Sequence, residues 1–246
     1  MQKTYDVYSN LGYWLILLVV LILIAFYPRY FALIAQPMPA LVHVHFVLLS
    51  LWTGMVIAQP FLIKYKKRPV HRLLGKVSYV LAPLVLLSAF LMIRLSYYRV
   101  MDQLQRLGQL TEAEILQKDA AEQAIAVIDL AWFAVFYLLA VINRKNSFVH
   151  SRYMVATALT LLGPVVERIL ALYFGLRHIG PVPLEAGTFI LTDAILILLL
   201  LKDYRDKQPA KTMLICTSIY LIGQVLFLTS LNTIVWGKLM ALMMGA

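Results

Sequence analysis

The sequence predicts an all-α bundle of membrane-crossing helices, and three observations lead there. Apolar residues dominate, they fall in blocks of spanning length, and the basic residues gather between the blocks. Of the 246 residues, 62% are hydrophobic and only 14% charged, with a mean hydropathy of +0.81. A soluble domain holds about 45–50% apolar and about 25% charged residues. Crossing a hydrocarbon layer roughly 30 Å thick takes about 20 mostly apolar residues in a helix. Barrel strands would instead alternate in short segments.

The elements follow in order. The first span is expected from Leu11 to Tyr27, stopped by Pro28. It exceeds a signal-peptide core and lacks a small-residue cleavage site, so it reads as a span. The second runs from Leu41 to Ile63, after Gln36-Pro37-Met38-Pro39, and the third from Leu73 to Leu95. The fourth covers Ala124 to Ile142 and the fifth Tyr153 to Phe174. The sixth covers Gly187 to Leu201 and the seventh Met213 to Val235. With most of the length in about seven spans, residues 1–246 read as one membrane domain.

The formal net charge is +10. In a soluble chain this would suggest nucleic acid; here cytoplasmic loops rich in Lys and Arg account for it. Three loops carry the charge: Lys64, Lys66, Lys67, Arg68 and Arg72; Arg144, Lys145 and Arg152; and Lys202, Arg205, Lys207 and Lys211. On one side of the membrane, they put the N-terminus in the cytoplasm and the C-terminus outside. Anionic lipid is the expected partner of these loops. The lone Cys216 excludes an intramolecular disulfide and lies inside an apolar run, where a buried inert thiol is expected.

The longest connection, Ser96 to Gln123, falls outside. Thr111-Glu112-Ala113-Glu114 ahead of Ile115-Leu116 resembles a helix N-cap with acidic first-turn residues. Lys118, Asp119 and Glu122 continue it as a solvated extension of span four.

Ionisable residues at membrane depth are costly and face a cavity or a partner. An outer group consists of His45, Asp129, Glu167 and Asp193. His43 and His45 point roughly 200° apart on a helix, so one of them faces inward. His45 shares a stripe with Trp52 and Gln59, and His43 one with Ser50 and Gly54, which does not separate them; His45 is the one placed in the group. Glu167 lies a heptad after Thr160 and beside Arg168, most of the way to the outer surface. Histidine with carboxylates is ligand chemistry for zinc or another divalent metal, and it equally suits a proton relay. The competing reading is local pairing of Glu167 with an arginine and of the aspartates with the polar boundary. No His-Glu-x-x-His spacing marks a metal.

An inner group consists of His71, Arg72 and Lys76 at the start of span three, with His150 and Arg152 at the start of span five. Two histidines on different helices at one depth suit the axial positions of a haem b, with Arg and Lys neutralising its propionates. The competing reading puts both in the lipid headgroup zone. His178, among Gly and Pro between Gly175 and Pro183, reads as a solvated loop residue.

The segments from His45 to Gln59, His71-Arg72-Leu73-Leu74-Gly75-Lys76-Val77-Ser78-Tyr79 and His150-Ser151-Arg152-Tyr153-Met154 resemble an uncharacterised bacterial membrane-protein family, domain of unknown function 2306. The resemblance covers Leu41 to Leu170, and Ser151 and Tyr153 depart from its third motif. It implies a bacterial inner (cytoplasmic) membrane and no established activity. A looser helix-order likeness is to the dihaem cytochrome b ferric reductases. It implies His71 and His150 as one haem pair; span four has no histidine to complete a second pair with His45.

Three functional expectations result. The first is a haem- or quinone-linked redox membrane protein. The second is a metal-dependent membrane enzyme or ion-coupled carrier using the outer group. The third is a non-catalytic subunit or lipid-interacting scaffold.

Overall fold

A computed structural model describes residues 10–108, 111–180, 182–230 and 233–245. The described structure is helical except for one small hairpin. We number the helices α1 (Leu11–Phe26), α2 (Ala40–Lys64), α3 (Arg68–Leu107), α4 (Glu112–Ile142), α5 (Ser147–Leu159), α6 (Leu162–Phe174), α7 (Leu184–Arg205), α8 (Lys211–Ser230) and α9 (Ile234–Met244). A 3₁₀ turn, Phe31–Leu33, lies between α1 and α2. Strands β1 (His178–Ile179) and β2 (Val182–Pro183) pair antiparallel around Gly180, whose φ of +61° suits a residue without Cβ. His178 is exposed there, as expected.

Among the described residues six helical segments are long and apolar enough to cross a membrane: α2, α3, the α4 segment Gln123–Ile142, α5 with α6, α7 and α8. This is an integral membrane protein by that measure. They correspond to spans two to seven of the sequence reading. The first expected span, α1, is apolar but has only 16 residues, about 24 Å of helix.

Several boundaries differ from expectation for identifiable reasons. Span five is two helices, α5 and α6, with a break at Thr160 and Leu161. Pro164 has no N–H to give the Thr160 carbonyl and its ring crowds that position. Span seven stops short of Val235. Thr233 adopts an extended backbone, its Oγ1 accepts from the Trp236 N–H at 3.3 Å, and α9 starts anew. The connection expected between Ser96 and Gln123 is largely helical. The 40-residue α3 runs to Leu107 and α4 begins at Glu112. Lys118, Asp119 and Glu122 have side chains outside the described residues.

The chain forms two compact units. The first takes in Met1–Ala89 and Pro164–Leu176, the second Phe90–Gly163 and Arg177–Ala246. In the first, α1 meets α2 where the Phe61 ring lies against Gly12. A Cβ on Gly12 would come within 2.6 Å of that ring. Tyr13 meets Phe61 edge-on, and Tyr173 donates to the Ile24 carbonyl at 2.9 Å.

The second unit is organised by one stripe of α4. Ala124, Ile128, Trp132, Phe136 and Ala140 recur every four residues and are all buried. Side chains four apart share a helix face. Opposite them pack Tyr153 and Ala156 of α5, Leu196 of α7, and Met213, Cys216, Tyr220 and Phe227 of α8. Gly223 lets the Trp132 indole close on α8, where Trp132 Nε1 donates to the Ile219 carbonyl at 3.1 Å. A second cluster joins Ile93 and Tyr97 of α3 to Met240 and Met244 of α9.

The start of α4 is a complete capping box. Thr111 N–H and Oγ1 donate to Glu114 Oε2 at 2.8 and 2.7 Å, and the Glu114 N–H returns a bond to Thr111 Oγ1 at 3.3 Å. The Thr111 backbone N–H, then its hydroxyl, hold the exposed Glu114 carboxyl below the usual range. A lowered folded-state pKa contributes stability above the unfolded value and loses it as pH falls through the folded one. Acidification through the carboxylate range is therefore expected to fray this end first. Amide hydrogen exchange at the start of α4 should quicken at low pH, and Glu114→Gln should remove much of that pH dependence.

Candidate functional site

A deeply buried charged pair sits in the second unit. Arg152 of α5 is 2% exposed and Asp203 of α7 is 5% exposed. Arg152 Nε donates to Asp203 Oδ2 at 2.6 Å, and Nη2 donates to Oδ1, a two-point bond matched to guanidinium and carboxylate geometry. Nη1 donates to the Phe148 carbonyl at 3.1 Å, and the Phe148 ring lies under the guanidinium. The sequence reading had put Arg152 in a basic loop and among the propionate partners. Tertiary packing instead turns it inward onto an acid 51 residues away.

The same unit contains a second carboxylate of different character. Asp193 stands near the middle of α7, about 14 Å along the helix from Leu184. The helix begins at Leu184 rather than Gly187. Its Oδ1 accepts from Gln224 Nε2 of α8 at 2.8 Å. Among the described residues Asp193 has no Lys or Arg partner. Tyr220, one turn before Gln224, is close enough to interact electrostatically with both Asp193 and Asp129. The Tyr220 hydroxyl donates to the Ala156 carbonyl at 2.8 Å. Asp193 and Asp129 both act electrostatically on Tyr220. Neither Gln224 nor Tyr220 is marked as a site residue by its place in the sequence.

The first unit holds the remaining members of the outer group, His45 and Glu167. His43 and His45 diverge as their spacing requires. His43 Nδ1 meets the Tyr30 hydroxyl at 3.1 Å, and His45 Nδ1 meets Ser88 Oγ of α3 at 3.0 Å. Ser88 Oγ already donates to the Val85 carbonyl at 2.9 Å. Arg168 is near enough to act on His45 electrostatically. Arg168 also donates to the Pro164 carbonyl at 2.8 Å and lies over the Phe26 ring.

The inner group is likewise divided. His71, Arg72 and Lys76 belong to the first unit, His150 and Arg152 to the second. His71 is half-buried, and its carbonyl accepts a long bond from Gln59 Nε2 at 3.4 Å. Arg72 and Lys76 are exposed. His150 Nδ1 lies 2.9 Å from the Ala140 carbonyl. A carbonyl only accepts, so Nδ1 carries a proton; the neutral ring would then have its lone pair on Nε2. Among the described residues His150 Nε2 has no hydrogen-bond partner. That tautomer lock is how proteins commonly orient a metal-binding imidazole.

Among the described residues no three His, Cys, Asp or Glu side chains converge to hold a metal ion. Cys216 is free and fully buried. No protein-family model, curated protein or solved structure matches the chain.

The Arg152–Asp203 pair has a measurable signature. Removing one member of a buried pair leaves a naked charge and costs about 3–5 kcal/mol, whereas an apolar replacement of both is near neutral. Asp203→Asn should therefore lower the thermal unfolding temperature of the detergent-solubilised protein sharply. Arg152→Met with Asp203→Leu should recover most of the loss. Equal losses in the single and double variants would show that the pairing is not its source.

Proposed function

We propose that this protein is an ion-coupled membrane carrier in which Asp193 takes up and releases a proton. The observation that supports this is the Asp193–Gln224 pair, a carboxylate in mid-helix held by a neutral amide instead of a cation. An intramembrane carboxylate commonly marks an ion or proton path. The contrast with Asp203 is chemical. A guanidinium has donors only and stabilises the ionised acid alone, so that pair is fixed. A carboxamide has a donor and an acceptor at its two ends. By turning over, Gln224 donates to the ionised carboxylate or accepts from the protonated one, so Asp193 stays hydrogen-bonded in both states. Both Asp193 and Asp129 act electrostatically on Tyr220, whose hydroxyl donates to the Ala156 carbonyl at 2.8 Å.

In this reading α1 is the seventh crossing, helped by exposed Tyr13, Trp14 and Tyr27 at interfacial positions near its ends. The three basic loops are cytoplasmic, the N-terminus lies inside, the C-terminus outside, and the host membrane is a bacterial cytoplasmic membrane. The family resemblance across Leu41 to Leu170 is consistent with that location and adds no activity. A divalent metal at the outer group is not part of the proposal, because among the described residues no three ligand-type side chains converge.

Infrared difference spectra of the protein in liposomes, taken between acidic and alkaline buffer, test the assignment. A titrating protonated-carboxyl band is expected in the wild type and in Asp206→Asn, whose side chain is exposed, and it should vanish in Asp193→Asn. A band indifferent to Asp193→Asn would reject it.

A second reading, a haem- or quinone-linked redox protein, is favoured by one observation, the His150 Nδ1–H bond that leaves Nε2 as a ligand atom. Arg152, engaged by Asp203, drops out of its propionate partners. Protein expressed with ample haem would then show a Soret band that collapses in His150→Gln. Colourless protein sinks this reading, and a negative result in both experiments leaves the scaffold role.

A further inference from the structure

The basic residues of this chain are not equivalent. Those around α7 have local acids: Lys202 Nζ lies 2.9 Å from Asp206 Oδ2, and Arg205 lies 3.6 Å from Asp206 Oδ1. Lys202, then Arg205, hold the exposed Asp206 carboxyl below its usual range. Arg152, in the second basic loop by sequence, is consumed by Asp203.

The turn between α2 and α3 is different. Lys66, Lys67, Arg68, Arg72 and Lys76 are all exposed. No Asp or Glu stands anywhere between Asp6 and Asp102 in the sequence. Glu167 is the one acid that Pro164–Leu176 adds to this unit. Among the described residues none of these five cations has a carboxylate partner. Their separation is fixed by an ordered turn. Lys66 takes a left-handed backbone with φ of +59°, its N–H reaches the Ile63 carbonyl at 3.0 Å, and the Lys67 N–H reaches the Leu62 carbonyl at 2.7 Å.

Exposed apolar residues lie among the charges. Tyr65 is 62% exposed and Leu73 is 61% exposed, with Val70 and Val77 also outward. Tyrosine is enriched at the level of lipid headgroups, and lysine and arginine lay their stems on apolar material while the charge reaches the polar layer. The turn joins two helices of spanning length. It therefore combines five uncompensated cations with apolar side chains at the end of a membrane crossing.

We propose that this turn is a binding site for the headgroup of an anionic phospholipid, with the phosphodiester held among Lys66, Lys67, Arg68, Arg72 and Lys76. The partner is a lipid rather than a soluble anion, because the apolar side chains between the cations need acyl chains or interfacial material to cover them. The inference is independent of the carrier reading, since it uses none of that site's residues. It also separates this loop from the α7–α8 loop, whose charges are partly spent on Asp206.

The test uses the full-length protein in nanodiscs of phosphatidylcholine carrying a minor fraction of phosphatidylglycerol. Lipid retained after transfer to detergent is measured by native mass spectrometry. The wild type should retain phosphatidylglycerol over phosphatidylcholine, and retention should weaken as salt screens the charges. Each neutralised cation should cost about fivefold in phosphatidylglycerol affinity, so Lys66→Gln with Lys67→Gln and Arg68→Gln should lose most of the preference. Lys207→Gln with Lys211→Gln, in the other loop, should leave it intact. All the substituted side chains are exposed, and circular dichroism verifies that the helices persist. Unchanged preference in the triple variant overturns the proposal. So does an equal loss in the α7–α8 loop variant, or displacement of the lipid by inorganic phosphate alone.

Discussion

A hydrocarbon layer offers no hydrogen bonds, and nearly everything else in this protein follows from that. Backbone groups must be satisfied within their own segment, which leaves the helix as the only economical form for blocks this apolar. Side-chain polar groups face the same demand. Small hydroxyls meet it locally by bonding back to their own helix. Thr53 bonds the Leu49 carbonyl, Thr157 that of Tyr153, and Thr217 that of Met213. Larger groups have to reach another helix, and where they do so the bundle acquires its specific contacts.

Those long-range solutions differ in kind. Arg152 and Asp203 cancel each other's charge and satisfy each other's geometry, so they act as a fixed bolt between α5 and α7. Asp193 and Gln224 join α7 to α8 through a pair that tolerates a change of protonation. His45 ties α2 to α3 through the Ser88 hydroxyl. One helix, α7, carries both the fixed pair and the adaptable one. The helix is thus anchored at its Asp203 end by a cation, while its mid-helix Asp193 meets a neutral amide.

Charge is distributed as unevenly as polarity. Acids are absent from the long stretch between Asp6 and Asp102, while Asp203 and Asp206 cluster at the end of α7. Among the described residues Lys66, Lys67, Arg68, Arg72 and Lys76 of that stretch are exposed and have no carboxylate partner.

Helical class, membrane character and six of the expected spans were legible in the sequence, because a run of twenty apolar residues has one stable form in lipid whatever surrounds it. The capping box at Thr111 was legible for a similar reason, since its partners lie three residues apart. The interruption at Thr160 was foreshadowed by Pro164 but hidden by the unbroken hydropathy around it. Which polar residue meets which was decided by tertiary structure alone. Arg152 reads as one more basic loop residue until α7 brings Asp203 to it, and Asp193 reads as a boundary acid until α8 supplies Gln224. Hydropathy is a property of segments and can be read along the chain. Pairing depends on the rotation and register of one helix against another, which only the packing of side chains such as Trp132 against Gly223 sets.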